Sequence, residues 1–484
     1  MPTSYNETTS MLLKYDLRHR AKLAYLAAAG LAVGLVACNT DKILKVTDPD
    51  VALPGALQGV SALPTLRAGA IGNFGVAYNG DQSVSDEEQV DLSALLSDEF
   101  INTETFPTRI EIDQRAQQIT NGSLLGTFFD LTRARASSEL AIRNFEELAK
   151  TASDSAGYPE LLALNGLTYI LFAENYCGAV PVSTQNPDGS FTFGPAENTN
   201  TLLDSAISKA NKALAVSGDP LTDEFKYLAQ ITKGRALLDQ GNFAEAAAAV
   251  AGVPTTFQYN YQHSSTTTRQ NNGTWGLTVS VGRFGQADVE GGNGLPFQSD
   301  GDIQARGAAA DPRVADTVAN RGGDNTGFDG ATVQWIQMKY PDRASSITIA
   351  DGVEARLIEA EAALHAGDAV GALSILNALR SDAALLALRG YPANSLPPLT
   401  LQAGTPAQVD QLFKERAYWL YLTSHRLGDL RRLIRQYGRS AESVFPTGIY
   451  FKGGNYGTDV NSPVPQQEQN NPQYDPSACH TNEA

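Results

Sequence analysis

Histidines, cysteines and cationic residues are scarce in this chain, and each shortage argues against a class of function. Its 484 residues include five histidines and three cysteines, and 36 lysines and arginines are outnumbered by 53 aspartates and glutamates. A formal net charge of −17 disfavours nucleic acid as a partner, because binding phosphates needs clustered cations. No two histidines stand four residues apart beside a glutamate, which disfavours a zinc enzyme.

The short motifs of common enzyme classes are also missing. The sequence has no Gly-x-Ser-x-Gly elbow, no glycine-rich loop ending in Lys-Ser/Thr, and no Gly-x-Gly-x-x-Gly after a strand. Carboxylates are numerous, so a glycosidase pair could assemble in three dimensions. Abundance alone does not identify such a pair, and the sequence assigns no residue a catalytic role.

The apolar run at the N-terminus is too short to be a permanent membrane span. Residues 23–37 form a run of 15 apolar-rich positions after a basic stretch, whereas a spanning helix needs about 20. A basic stretch followed by a short apolar run is the layout of an export signal. We therefore predict that residues 1–37 are a signal peptide that is removed.

The end of this signal resembles the lipobox of bacterial lipoproteins. Leu35, Val36 and Ala37 precede Cys38, whose thiol would receive the lipid. Asn39 follows where an aspartate would favour the inner membrane, so the resemblance implies an outer-membrane protein that is lipid-anchored and faces the cell exterior. Residues 38–54 contain prolines that disfavour a helix, and we expect an extended tether there.

Two cysteines remain after lipidation, and the sequence leaves their state open. Cys177 and Cys479 are an even pair in a compartment that favours oxidation. A disulfide between them would tie the C-terminal tail to the body of the protein. Two unpaired thiols fit the sequence equally well.

Helical periodicity dominates the mature chain and predicts an all-α-dominated fold with at most a small β-hairpin region, placed within residues 253–345. The predicted helices cover residues 55–72, 124–149, 160–176, 199–215, 223–240, 243–250, 352–365, 368–379 and 406–437. Two of these regions repeat one another at matching offsets. The first has Gly234, Leu237, Gly241-Asn242-Phe243, Ala246 and Val250, and the second has Ala360, Ala363, Gly367-Asp368-Ala369, Ala372 and Leu376. This pattern resembles the tetratricopeptide repeat, so we predict one helical-repeat domain over residues 55–484.

Long loop-rich regions interrupt the helices and are expected to carry the binding surface. Residues 252–350 form a loop-rich insertion, and a second such piece covers residues 73–118. Their side chains give the candidate ligand-binding residues, which are Tyr78, Phe106, Arg109, Trp275 and Trp335. Residues 322–330 could also supply Ca²⁺ ligands from Asp324, Asn325 and Asp329, although the ordered spacing of an EF-hand is absent. The tail from residue 445 is poor in helix formers and should wrap irregularly over the body.

Taken together, these features resemble the RagB/SusD family of nutrient-uptake outer-membrane lipoproteins. The matching segments are the tether 43–50, the helix end 173–181 (AENYCGAVP), the late helix 415–432 and the closing stretch around Pro463-Val464-Pro465. The late helix is the most specific match. The family usually has Glu-Gly before the His/Gln-Arg pair, and Thr423-Ser424 stand in that place.

The resemblance implies a protein that binds but does not catalyse. Such a protein would capture oligosaccharides or peptides at the cell surface and deliver them to a TonB-dependent, SusC-like transporter. Two alternatives remain at this stage. One is a cell-surface glycoside hydrolase that uses a carboxylate pair, and the other is a repeat scaffold that binds only proteins.

Overall fold

The computed structural model describes residues 59–82, 87–186, 190–216 and 218–484. The predicted signal peptide, Cys38 and the tether lie outside the described residues. Gly59–Ala484 forms one compact unit. Among the residues that the structure describes, no helix is both long and apolar enough to cross a membrane.

Helices dominate the fold, as the sequence predicted. They are α1 (Leu63–Asn79), α2 (Gln89–Leu96), α3 (Pro107–Asp113), α4 (Gly122–Leu148), α5 (Tyr158–Asn175), α6 (Thr199–Leu214), α7 (Asp223–Asp239), α8 (Phe243–Val250), α9 (Gly273–Trp275), α10 (Phe297–Gly301), α11 (Ile303–Arg306), α12 (Gly352–His365), α13 (Ala369–Ser381), α14 (Ala383–Leu388), α15 (Thr405–Trp419), α16 (Arg426–Arg435) and α17 (Ala441–Val444). Side-chain caps define where several helices begin. At the start of α4, for example, the Asn121 side chain accepts a hydrogen bond from the Leu124 amide at 3.1 Å.

The two matching sequence regions form the helical hairpins α7–α8 and α12–α13. Both turns use a glycine with positive φ, 79° at Gly241 and 86° at Gly367, a conformation that favours glycine. Helix α8 packs against α12, and each of the helices α4, α5, α6 and α7 packs against the next one along the chain. The repeats therefore join one continuous helical stack, as expected for units that cannot bury their apolar faces alone.

Close helix packing explains a small residue inside α7. A Cβ atom on Gly234 would lie 2.4 Å from Val250 Cγ1 on α8 and 3.4 Å from Ile358 Cδ1 on α12. A larger residue would push these helices apart, because protein interiors are close-packed.

The predicted helix boundaries were wrong in two places. Helix α1 begins at Leu63 rather than at the predicted residue 55, and it continues past residue 72 to Asn79. Gly75 within it leaves room for the ring of Tyr261, since an added Cβ would lie 2.0 Å from that ring. The predicted helix 406–437 is two helices, α15 and α16. The chain breaks between them where Leu422 and Ser424 have φ values of 50° and 55°.

The small sheet region also differs from the prediction of one hairpin. The strands are β1 (Phe100–Asn102), β2 (Val180–Pro181), β3 (Thr184–Gln185), β4 (Phe191–Thr192), β5 (Ala196–Glu197), β6 (Gln258–Tyr261), β7 (Phe284–Gln286), β8 (Asp316–Val318), β9 (Trp335–Gln337) and β10 (Ile347–Asp351). They pair antiparallel as β1–β7, β2–β5, β3–β4, β6–β10 and β8–β9. Only β8 and β9 pair within the predicted region; strands of two or three residues leave too short a pattern to detect.

The stretch 73–118 is less irregular than the sequence indicated, since it contains the end of α1, all of α2 and α3, and strand β1. Because β1 pairs with β7 from the long insertion, the two loop-rich regions meet in space. This meeting creates the candidate site.

Candidate ligand-binding site

Exposed aromatic rings and two cationic side chains form a surface cluster where the two loop-rich regions meet. The cluster, called here the aromatic platform, consists of Phe106, Arg283, Phe328, Phe451 and Lys452. Its three phenylalanines are 44%, 52% and 45% exposed in that order, which is unusual for such large apolar residues. The Arg283 guanidinium lies over two of the rings, 4.5 Å from the Phe106 centroid and 4.4 Å from the Phe328 centroid.

Backbone contacts between distant segments place the first two rings together. Phe106 precedes α3, whose first residue, Pro107, suits a helix start. The Phe328 amide donates to the Gly282 carbonyl at 2.7 Å, and the Asp329 amide donates to the Thr103 carbonyl at 3.0 Å. Strand β1, strand β7 and the 326–333 loop therefore hold the rings in fixed relative positions.

A buried carboxylate organises the charges beneath the platform. Glu104 is fully buried and pairs with Arg109 at 2.8 Å and with Arg283 through its other oxygen. Burial would lower the pKa of Arg109, but hydrogen bonds and charge interactions with Glu87 and Glu104 outweigh it and raise the pKa above its usual value. The Arg109 guanidinium therefore stays charged.

The loop formed by residues 448–456 brings the third ring. Lys452 Nζ donates to the Glu104 carbonyl and to Asp329 Oδ2, both at 2.6 Å. The pKa of Asp329 falls below its usual value because this ammonium and local hydrogen bonds outweigh burial. These bonds hold Phe451 beside the other platform segments, with Lys452 Nζ 5.8 Å from its ring centroid.

Two of the predicted ligand-binding residues lie in the interior. Tyr78 is 2% exposed, and its hydroxyl donates to the Thr423 carbonyl at 2.7 Å. Arg109 is 5% exposed and is ion-paired with Glu104 and Glu87. Tyr78 is thus a core residue, while Arg109 supports the platform from below. Of the five candidates, Phe106 is the platform residue that the sequence identified.

The two tryptophans are half-buried at other positions. Arg343 lies 5.2 Å from the Trp275 ring, and the Trp275 amide is capped by Asn272. Trp335 lies in β9 opposite Val318. The neighbouring Gln334 donates to the Phe284 carbonyl at 2.7 Å, so β9 runs beside the strand that follows Arg283.

The residues considered as Ca²⁺ ligands have roles within their own loop. Asp324 Oδ1 accepts from the amide and the hydroxyl of Thr326 at 2.8 and 2.7 Å. Asp329 caps the turn at Thr332 and pairs with Lys452. The Asn325 carbonyl accepts from the Gln334 amide. Across the described part of the chain, no group of three or more His, Cys, Asp and Glu side chains is arranged to hold a metal ion.

The structure joins Cys177 and Cys479 in a disulfide across a sequence separation of 302 residues. Cys177 follows α5 and is buried. The tail is also held by backbone contacts, since the Val460 amide donates to the Thr481 carbonyl at 2.7 Å. The C-terminal segment is thus fastened to the helical body.

Two open pockets elsewhere are less suited to an extended ligand. A cavity of about 600 Å³ beside α15 has a floor of internally paired charges, with Glu415 held by Arg313 and Arg380 at 2.7 Å each. A second cavity of about 600 Å³ is lined by polar side chains near the start of α6 and by the C-terminal tail. Neither pocket is lined by the platform residues. We favour the platform as the binding surface because its flat rings are exposed to solvent.

Sequence reasoning missed Arg283, Phe328, Phe451 and Lys452. One pattern could have identified Phe328, because a large ring between Gly327 and Gly330 in a turn has few neighbours to cover it. Arg283 has no comparable local pattern. Its role depends on two rings from remote segments.

Solved structures share this architecture of helical hairpins carrying long loops. A SusD superfamily protein from Bacteroides fragilis matches with a TM-score of 0.61 and 16% identity over 86% of this chain and 99% of its own. A laminarin-binding SusD-like protein matches with a TM-score of 0.59 and 16% identity over 86% and 98%. A SusD-like carbohydrate-binding protein from Bacteroides vulgatus matches with a TM-score of 0.54 and 14% identity over 77% and 83%. No family model and no curated protein matches the sequence.

The protein is therefore an α-helical repeat protein with a loop-built surface. More particularly, it has the SusD-like fold. The fold that the family resemblance implied is confirmed.

Proposed function

We propose that this protein belongs to the RagB/SusD family and is a glycan-binding lipoprotein of the outer-membrane surface. It captures oligosaccharides without cleaving them and delivers them to a TonB-dependent, SusC-like transporter. The observation that carries the proposal is the aromatic platform. Flat apolar rings stack on sugar rings, while the flanking cationic side chains donate hydrogen bonds to hydroxyls.

The charges around the platform favour binding over hydrolysis. Glu104 and Asp329, the carboxylates next to it, are both engaged in ion pairs. A retaining or inverting glycosidase needs two carboxyl groups that face the bond to be cleaved, with one able to donate a proton. Burial would raise the pKa of Asp329, but Lys452 and local hydrogen bonds lower it, which disfavours proton donation. Glu104 is fully buried with a guanidinium on each oxygen, so it does not face a ligand.

Binding is tested with the purified full chain in detergent, titrated with a panel of oligosaccharides that begins with laminarin fragments. Phe106→Ala and Phe328→Ala should each weaken the affinity roughly tenfold, because losing an aromatic anchor at a binding surface costs about 1–2 kcal/mol. Phe129→Ala is the matched control. Phe129 is also an exposed ring beside an arginine, at 58% exposure and 5.6 Å from Arg133, but it lies on α4.

The outcomes of this panel separate the three functional classes. Saturable binding without product release, weakened by the two platform variants and unaffected by the control, supports the proposal. Release of shortened glycans would establish a hydrolase instead. If no glycan binds, binding of peptides would establish a peptide receptor, and binding of proteins alone would establish a repeat scaffold.

The transporter partner requires a separate measurement. The proposal predicts that the tagged full chain co-purifies from outer membranes with a large TonB-dependent barrel encoded beside its gene. Purification with no barrel protein, under conditions that preserve outer-membrane complexes, would contradict delivery to a transporter while leaving glycan capture intact.

A further inference from the structure

Two buried carboxyl groups lie directly behind the loop that carries Phe451 and Lys452. Asp113 ends α3 and is 1% exposed, while Glu290 lies in a short turn of the long insertion and is 5% exposed. The two carboxyls lie close enough to influence each other's protonation. Each also leaves one buried oxygen without a donor, Oδ1 of Asp113 and Oε2 of Glu290. A single proton placed between these carboxyls makes such a contact favourable.

The 448–456 loop is attached to this pair by two phenols. The Tyr450 hydroxyl donates to Asp113 Oδ2 and the Tyr456 hydroxyl donates to Glu290 Oε1, both at 2.7 Å. Within the loop, the Tyr450 amide donates to the Gly454 carbonyl at 3.1 Å. The inner side of the loop therefore contacts the carboxyl pair, and its outer side presents Phe451.

We propose that Asp113 and Glu290 are positioning residues for the aromatic platform: a proton shared between their carboxyls fastens the 448–456 loop in its ligand-facing position. This inference rests on the proposed glycan-binding function and adds a regulation of the same site. When the proton is lost, two negative charges meet in a buried place, and opening the loop relieves their repulsion.

The direction of the pH effect follows from the environment of the pair. Burial raises the pKa of both carboxyls, and their mutual repulsion raises that of Glu290 further. The closed loop therefore binds the proton more tightly than the open loop does. Closure is complete in acid and is lost as pH rises through the raised pKa of the pair. The surrounding ionisable groups are Asp98, Arg115, Tyr450, Lys452 and Tyr456.

The neighbouring charges do not cancel the pH dependence of loop closure. Lys452 stabilises the charged form of Asp113, whereas Asp98 destabilises the charged form of Glu290. The Lys452 ammonium is already paired with Asp329. It therefore compensates the pair only in part.

The test measures hydrogen exchange of the 448–456 amides in the full chain between about pH 5 and pH 8, as protection relative to the intrinsic exchange rate. We expect wild-type protection to fall at least threefold over this range. Glu290→Gln should abolish the fall, because its amide can donate to Asp113 and still accept from Tyr456 without a titrating proton. Asp113→Asn should also abolish the fall, because its amide can donate to Glu290 and still accept from Tyr450. Amides of the α12–α13 hairpin serve as the internal control.

A parallel titration with laminarin fragments links the loop to binding. Affinity should fall with the loss of protection in the wild type and remain constant with pH in Glu290→Gln. Flat wild-type protection, or equal pH dependence in both amide variants and the wild type, would overturn the inference. If no glycan binds at any pH, the proposed function fails, and the exchange data still decide whether the carboxyl pair fastens the loop. Should both amide variants fail to fold, Tyr456→Phe must lower protection at pH 5, or the inference is wrong.

Discussion

At the scale of single residues, the buried arginines and carboxylates of α15 and α16 stabilise the fold through ion pairs. Asp429 accepts two hydrogen bonds from Arg416, both at 2.8 Å, and one from Arg432 at 2.6 Å, with every member 4% exposed or less. Arg426 instead pairs with Asp98 from another segment at 2.6 and 2.8 Å. Because these ion pairs join α15 to α16 and α16 to the segment that carries Asp98, they cross-link the core.

Asp429→Ala should destabilise the protein by about 3–5 kcal/mol, because it breaks the buried ion pairs of Arg416 and Arg432 with Asp429 and leaves these two guanidiniums with only Glu361 and Asp239 as counter-charges. Denaturant unfolding of the full chain measures the change. The matched control is Asp410→Ala, which removes an ion pair with Arg439 at a carboxylate that is 64% exposed and should cost less than about 1 kcal/mol. Equal losses of unfolding free energy in the two variants would contradict the idea that burial makes the ion pairs of Asp429 important for stability.

Acid should weaken the same cross-link. Burial alone would raise the pKa of Asp429, but Arg416 and Arg432 outweigh it and hold the pKa far below its usual range. Because the folded-state pKa is depressed, the contribution is present above the unfolded value of about 4 and is lost as pH falls below it. The loss of stability between about pH 5 and pH 3 should therefore be smaller in Asp429→Ala than in the wild type, as measured by denaturant unfolding at each pH.

Helix packing at the level of elements depends on a few close approaches. Gly234 in α7 faces Val250 on α8, whereas a Cβ on Gly126 in α4 would have no heavy atom within 4 Å. Both glycines lie inside helices, where alanine is intrinsically favoured by about 1 kcal/mol. The two sites thus separate helix propensity from packing.

Gly126→Ala should stabilise the protein by up to about 1 kcal/mol through helix propensity. Gly234→Ala should destabilise it, because overpacking a tight contact costs about 1–3 kcal/mol and exceeds that gain. Thermal or denaturant unfolding of the two variants decides the question. A stabilising effect at Gly234 would show that α7 and α8 have room to separate.

The break between α15 and α16 is a second feature that belongs to this scale. Its carbonyls are acceptors for remote side chains, with Tyr340 donating to Leu422 at 2.9 Å and Arg235 donating to Ser424 at 2.8 Å. Ser424 adopts a left-handed conformation at the position where the family usually has glycine. The periodic pattern continues through the break, so sequence analysis joined the two helices.

The disulfide acts on the whole molecule, since it connects segments 302 residues apart. Reducing it should lower the stability by about 2–4 kcal/mol, because the unfolded chain regains the freedom of a long loop. The change is measured as the shift in unfolding free energy with and without reductant. A Cys177→Ala/Cys479→Ala double variant should show no such shift, and an unchanged wild type after verified reduction would contradict the role of the bond.

Cys38 has a predicted role that also concerns the whole protein. If the proposed function holds, Cys38→Ala should move the protein from the membrane fraction to the soluble fraction and reduce nutrient uptake, because the predicted lipid anchor would keep it near the proposed transporter. Fractionation and an uptake assay measure the two effects. A soluble variant that supports full uptake would show that tethering is not required for delivery.

The sequence by itself determined the fold class and the repeated hairpins, whereas the export signal and the lipid anchor stay predictions. These properties depend on contiguous motifs or on short-range periodicity, as in the matching turns at Gly241 and Gly367, and such patterns are readable without tertiary contacts. Phe106 was also identified from its place in a loop-rich region. The same local reasoning failed for Tyr78, since a ring near a predicted loop can be buried by remote elements.

Only the tertiary structure decided which side chains form the platform and how its loop is held. Arg283 lies between rings from positions 106 and 328, and the buried carboxyls of Asp113 and Glu290 accept hydrogen bonds from Tyr450 and Tyr456 of the loop. None of these partners is close in sequence. Their exposure, spacing and pKa values depend on the pairing of β1 with β7 and on the contacts of the 448–456 loop with both regions, because long-range contacts decide which groups are buried and which face solvent.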